Sequence, residues 1–190
     1  MKNKMILIAG RSGAGKDRYA DTLAEMGLVG VKSYTTRPKR YETEDTHIFI
    51  SKEESDLIED KVAVTKINDY EYFATKSQIE QADYYIIDPH GIRDLTNACP
   101  DVDFQIVYIY ADYHVRLDRA VGRGDPEKEL WTFKCRERSE DQQFTVFEHV
   151  IFNFDNVIIH NNNTDDIEKL TKYAKNDYMR FVEELDLSLF

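Results

Sequence analysis

The 190-residue sequence predicts an α/β fold: a mostly parallel sheet flanked by helices, with a small inserted lobe. Three observations predict it. Short apolar runs alternate with helix-like stretches along the chain, the pattern of βαβ units. Met5–Ala9 is a continuous apolar run followed at once by glycine, as in a buried parallel strand that ends in a tight turn. Residues 33 to 80 break the alternation, with several short strand candidates and few long helices.

Each element has its own signal. Arg18–Met26 reads as a helix closed by Gly27, and Leu28–Tyr34 as a second strand. His47–Ile50 reads as a strand ending at Ser51-Lys52-Glu53-Glu54, a capping-box signature for a short helix. Val62–Ile67 and Glu71–Thr75 read as two more strands, and Tyr84–Asp88 as a buried strand ending on a carboxylate. Phe104–Tyr110 is the most apolar run and precedes a helix through Arg116 and Arg119. Asn156–His160 is the last strand. Ile167, Leu170, Tyr173, Ala174, Tyr178, Phe181, Val182 and Leu185 recur at helical spacing after it.

Composition narrows the function. The chain is 42% hydrophobic and 32% charged, which excludes collagen-like, low-complexity and bulk-disordered classes. A formal charge of −11 makes it a poor binder of nucleic-acid polymers or anionic membranes. Any anionic ligand must therefore be met by local positive charge. Cys99 and Cys135 form neither a disulfide framework nor a metal-ligand spacing. Met5–Ala9 is too short for a signal segment or a membrane span, and the expectation is a cytoplasmic protein, monomeric or homodimeric.

Gly10-Arg11-Ser12-Gly13-Ala14-Gly15-Lys16 fits G-x-x-x-x-G-K between a strand and a helix. Glycines there let backbone N–H groups curl around phosphate oxygens, the helix start adds partial positive charge, and Lys16 reaches the β- and γ-phosphates. This predicts a P-loop that binds a nucleoside triphosphate, as motors, GTPases and kinases do. Asp17 follows, where a serine or threonine usually ligates Mg²⁺. It is either an oxygen ligand for Mg²⁺ or a helix-start carboxylate favoured by the dipole.

Two basic clusters stand out in this acidic chain. Ser33…Thr35-Thr36-Arg37-Pro38-Lys39-Arg40-Tyr41-Glu42 places Arg37 and Arg40 three apart, able to grip one phosphate with forked donors. Arg116, Arg119, Arg123-Gly124, Lys134, Arg136 and Arg138 form the second, centred on a Gly-Arg-Gly loop between two helices. A P-loop with two arginine groups suits phosphoryl transfer, which needs positioning and charge neutralisation more than covalent chemistry.

These pieces, with His47-Ile48-Phe49, Tyr72 and Asp88-Pro89-His90-Gly91, resemble the guanylate kinase family of P-loop nucleoside monophosphate kinases over about residues 4–175. The resemblance implies one kinase domain. Its core would span 1–32, 81–121 and 139–190, its monophosphate-binding lobe about 33–80 and its lid about 122–138. It implies transfer of the ATP γ-phosphoryl group to a nucleoside monophosphate, foremost GMP or dGMP, with Mg²⁺. Arg37, Arg40 and Tyr72 would hold the acceptor phosphate, while Ser33, Thr75 and Asp88 help place its base. Arg119, Arg123 and one of Arg136 or Arg138 would close over the donor phosphates. His47 stands where the family has a phosphate-binding tyrosine, and is either a shorter donor there or a half-buried strand residue. Ala63, nine residues before Tyr72, stands where the family has its guanine-reading glutamate, which implies weaker base preference and a sharper one in Ala63→Glu. Similar chains imply two other readings. Ribose 1,5-bisphosphate phosphokinases carry Gly-Lys-Asp in the P-loop and a histidine after the acceptor loop. Non-catalytic guanylate-kinase-like binding domains usually lose the P-loop lysine, which is present here as Lys16.

Overall fold

A computed structural model describes residues 4–67, 69–122, 126–152, 157–162 and 166–187. Its main sheet is built from β1 (Lys4–Ala9), β6 (Tyr84–Ile86), β7 (Asp103–Tyr110) and β8 (Val157–His160), in the order β6-β1-β7-β8. Every pairing in it is parallel. A central parallel strand is covered on both faces, which is why Met5 through Ala9 are all buried.

Alternate side chains of β1 enter different cores. Met5, Leu7 and Ala9 join Tyr108 with Ile92 and Leu95 of α4 (Pro89–Ala98) and Phe144 and Ile151 of α6 (Pro126–Ile151). Ile6 and Ile8 join Val107 and Ile109 with Tyr19 and Leu23 of α1 (Lys16–Glu25) and Leu170 and Ala174 of α7 (Asp166–Leu187). Tyr19 also donates its hydroxyl to the buried Asp177 carboxylate, tying α1 to α7.

A second sheet lies within residues 33–80. It contains β2 (Tyr34–Thr35), β3 (Ile48–Phe49), β4 (Lys61–Ile67) and β5 (Tyr70–Thr75), in the order β3-β2-β5-β4. Two short helices complete it, α2 (Lys52–Asp56) and α3 (Lys76–Gln81). Both start in full capping boxes, Ser51 with Glu54 and Thr75 with Gln78. Only the first was read from the sequence.

One expectation is corrected, and two further features bear on the site. Leu28–Tyr34 is not a continuous strand: Gly30 forms an isolated bridge to Tyr84, and only Tyr34–Thr35 pairs as β2. The boundary expected at 138 falls inside α6, one 26-residue helix with no glycine and with its only proline at the first position. The β4–β5 pairing also carries a bulge. Val62 faces Ala74 while Thr65 faces Tyr72, so three steps on β4 oppose two on β5.

Candidate active site

β1 runs directly into the loop Gly10–Lys16, which α1 then continues. Gly13 and Gly15 adopt φ of 81° and 106°. A side chain on Gly15 would put its Cβ 2.5 Å from Asn161 Nδ2, so the loop demands glycine for both conformation and space. Asn161, just past β8, donates to the Ala14 carbonyl at 2.7 Å. Arg119, on α5 (Tyr113–Val121), donates to the Gly13 carbonyl at 3.2 Å and to the Asn161 carbonyl at 3.0 Å. Arg119 thus holds the backbone of the loop.

The Lys16 ammonium turns back onto the loop, donating to the carbonyls of Gly10 at 2.8 Å and Arg11 at 3.2 Å. Burial lowers its pKa, with Glu140 and Asp17 pulling the other way. It lines a cleft of about 380 Å³ together with Arg37, Arg40, His47, Tyr72, Asp88 and Arg136. The structure therefore brings Lys16 of the loop together with Arg37 and Arg40 of the first basic cluster, with His47, Tyr72 and Asp88 beyond it, and with Arg136 of α6. Arg40 has its pKa lowered by burial, by Arg136 and by Arg37, three guanidinium groups crowding one space. In a chain of net charge −11, this is the concentrated positive charge that an anionic ligand requires.

Arg37 is pre-oriented. Its two terminal nitrogens donate to Glu44 at 2.8 and 3.3 Å, while its Nε is buried without a partner among the described residues. Glu44 is only 2% exposed and also accepts from the Arg40 N–H at 2.6 Å. The hydrogen bonds from Arg37 hold its carboxyl at about 2, against the effect of burial. Glu42, two residues earlier in this loop, is exposed, and its backbone carbonyl accepts from Lys39.

The remaining candidates fall in different places. His47 Nδ1 lies 2.9 Å from Ser33 Oγ, and its ring packs edge-on against Tyr72. Burial lowers its pKa, and Arg37 adds to that. Ser33 faces a neighbouring cleft that Asp17, Asp21, Lys32, Asp45 and Thr46 also line. Asp88 is the N-cap of α4: its Oδ1 accepts from the N–H groups of His90 and Gly91 and from Thr65 Oγ1. Thr75 caps α3 and is not part of the cleft wall. Arg136 faces the cleft; Arg138, two positions on, is exposed. Arg123 lies outside the described residues. Ala63 is 3% exposed in the apolar core at φ 56°, and of β4 it is Ile67 that lines the cleft, while Thr65 reaches Asp88.

Sequence reading missed the second wall of the site. Arg136, Ser139, Glu140, Gln143 and Phe144 form one stripe of α6 along the cleft. The Glu140 carboxylate meets Ser12 of the loop. Arg11, expected at the ATP phosphates, points its side chain away from the cleft into α6. Its Nε and Nη2 bind Glu148 at 2.9 and 3.1 Å, and its Nη1 binds Asp141 at 2.7 Å. Arg116 pairs with Glu137 at 2.6 and 2.7 Å. Acids at 137, 141 and 148 recur at helical spacing, and that was the available signal.

Asp17, the first residue after the loop, lines the neighbouring cleft with Asp21 and Asp45. Among the described residues no group of three His, Cys, Asp or Glu could hold an ion. A single carboxylate next to Lys16 fits a magnesium carried mainly by substrate phosphates.

A strand–glycine loop–helix unit at the end of an internal strand of a parallel sheet, facing a lobe of cationic side chains, defines a P-loop kinase fold. The chain belongs to the AAA domain family, whose model matches residues 6–145. Among solved structures it is similar to the guanylate kinase from Anaplasma phagocytophilum, at 14% identity and a TM-score of 0.61, over 94% of this chain and 86% of that one. The fold is thus guanylate kinase-like. No curated protein matches the sequence. No helix among the described residues is long and apolar enough to cross a membrane.

Proposed function

We propose that the protein is an ATP-dependent nucleoside monophosphate kinase, with GMP or dGMP as the first acceptors to test. The observation that carries this reading is the convergence of Lys16, Arg37, Arg40 and Arg136 on one cleft. That supply of charge suits two phosphate groups brought together, one from each substrate.

In this reading the loop's N–H groups and Lys16 take the donor phosphates, with Lys16 exchanging its carbonyl partners for phosphate oxygens. Arg37, oriented by Glu44, and Arg40 take the acceptor phosphate, with Tyr72 and His47 beside it. Arg136 stands between the two and neutralises charge on the transferred group. Magnesium, held by the phosphates and Asp17, would supply further charge neutralisation. Asp88 offers its Oδ2 oxygen to the acceptor's polar edge.

A sugar phosphate as acceptor is the second reading. It is favoured by the position of Ala63 in the core, which leaves β4 with no carboxylate on the cleft. The test is coupled turnover of ATP with the ribo- and deoxyribonucleoside monophosphates and ribose 1,5-bisphosphate. The expected result is turnover with at least one monophosphate. Turnover with the sugar phosphate alone replaces the first reading by the second, and no turnover with any acceptor overturns both.

A further inference from the structure

The Glu140 carboxylate accepts from the backbone N–H of Ser12 at 3.0 Å and from its hydroxyl at 2.5 Å. Ser12 sits inside the glycine loop, where backbone N–H groups are the phosphate ligands. The contact is not a loose surface pairing. One turn before Glu140, Glu137 is gripped by Arg116; just after it, Asp141 and then Glu148 are gripped by Arg11 of the loop itself. Two buried arginines therefore hold α6 against the loop on either side of the contact.

From this geometry we infer that Glu140 is a built-in competitor for the nucleotide: its carboxylate occupies the Ser12 donors that a donor phosphate needs, and binding requires its displacement. The inference rests on the reading of the loop as a nucleotide site. A carboxylate and a phosphate cannot share one N–H, and as like charges they repel at that distance. The loop is thus held in a self-satisfied state, and the apparent affinity for nucleotide falls by the fraction of molecules in it. The restraint matches the chemistry of the loop, since leaving Ser12 donors unpaired in a half-buried site is unfavourable.

The experiment is calorimetric titration of the full chain with Mg-ATP and with magnesium-free ADP, for wild type, Glu140→Ala and Glu140→Gln, with circular dichroism to confirm folding. Glu140→Ala should bind both ligands about tenfold more tightly, and Glu140→Gln, which keeps an acceptor but no charge, should fall between. If Glu140→Ala does not fold, the nearly isosteric Glu140→Gln decides alone. Unchanged affinity overturns the competitor. Weaker binding confined to Mg-ATP also overturns it, and makes Glu140 a metal-side ligand. If neither wild type nor the folded variants bind nucleotide, the loop assignment fails and takes the competitor with it, whereas binding by a variant alone supports both.

Discussion

Arg37 and Glu44 meet fork to fork, with guanidinium nitrogens 2.8 and 3.3 Å from the two carboxylate oxygens. The same carboxylate accepts from the Arg40 backbone N–H, so one buried acid ties the Arg37 side chain to the backbone of the loop at Arg40. Glu44 acts through Arg37 as a positioning residue. Glu44→Ala should raise the acceptor KM by about tenfold or more while leaving the ATP KM within about twofold. Steady-state kinetics with each substrate varied in turn will show it. An unchanged acceptor KM would mean that Arg37 orients without help.

The same pair has a pH signature. Glu44 has a folded pKa of about 2, below its ordinary 4.5, so the folded state binds fewer protons across that interval. Its contribution to stability is complete above about pH 4.5 and is lost as the pH falls toward 2. Denaturant titrations between pH 6 and 3 should show wild type losing more stability than Glu44→Gln, which has no proton to take up. Parallel curves would contradict the assignment.

Lys16→Ala should stay folded and lose turnover by about 10²-fold or more, because among the described residues the ammonium donates only to loop carbonyls and, in the proposed reaction, its charge serves the transferred phosphate. Circular dichroism and turnover measured on one preparation test this together. A folded variant with a near-normal rate would remove the loop from the reaction.

Arg136→Ala and Arg138→Ala separate the two lid candidates. Arg136 shares the cleft with Lys16 and Arg40, whereas Arg138 is exposed. The first should lower kcat by about tenfold or more, and the second should stay within about twofold of wild type.

His47 should titrate below its ordinary 6.5, since burial and the Arg37 charge both disfavour the imidazolium. With its folded pKa depressed, the ring costs stability as the pH drops below about 6.5 and nothing above it. Proton NMR of the ring over pH 4 to 8 reads this directly, and a midpoint above 6.5 would show that Arg37 does not face it.

Ala63→Glu should destabilise the fold by about 3 kcal/mol rather than sharpen base preference, because it places a carboxylate in the apolar core at a left-handed position. Thermal unfolding beside the acceptor panel distinguishes the two outcomes.

Local chemistry alone determined the glycine loop, the two-sided burial of β1, the capping box at Ser51 and the arginine pair at 37 and 40. Each is a short-range pattern whose physical demand, on φ, burial or charge, is met within a few residues. Only the tertiary structure decided that Glu44 orients Arg37, since a loop's closure selects the acid that can return to it. It also decided that Arg11 turns to α6, since Asp141 and Glu148 stand more than a hundred residues away in sequence and compete with any phosphate for that guanidinium. Ala63 went to the core for the same kind of reason: a bulge adds one residue to β4, and with a period of two that single residue exchanges the faces of everything beyond it.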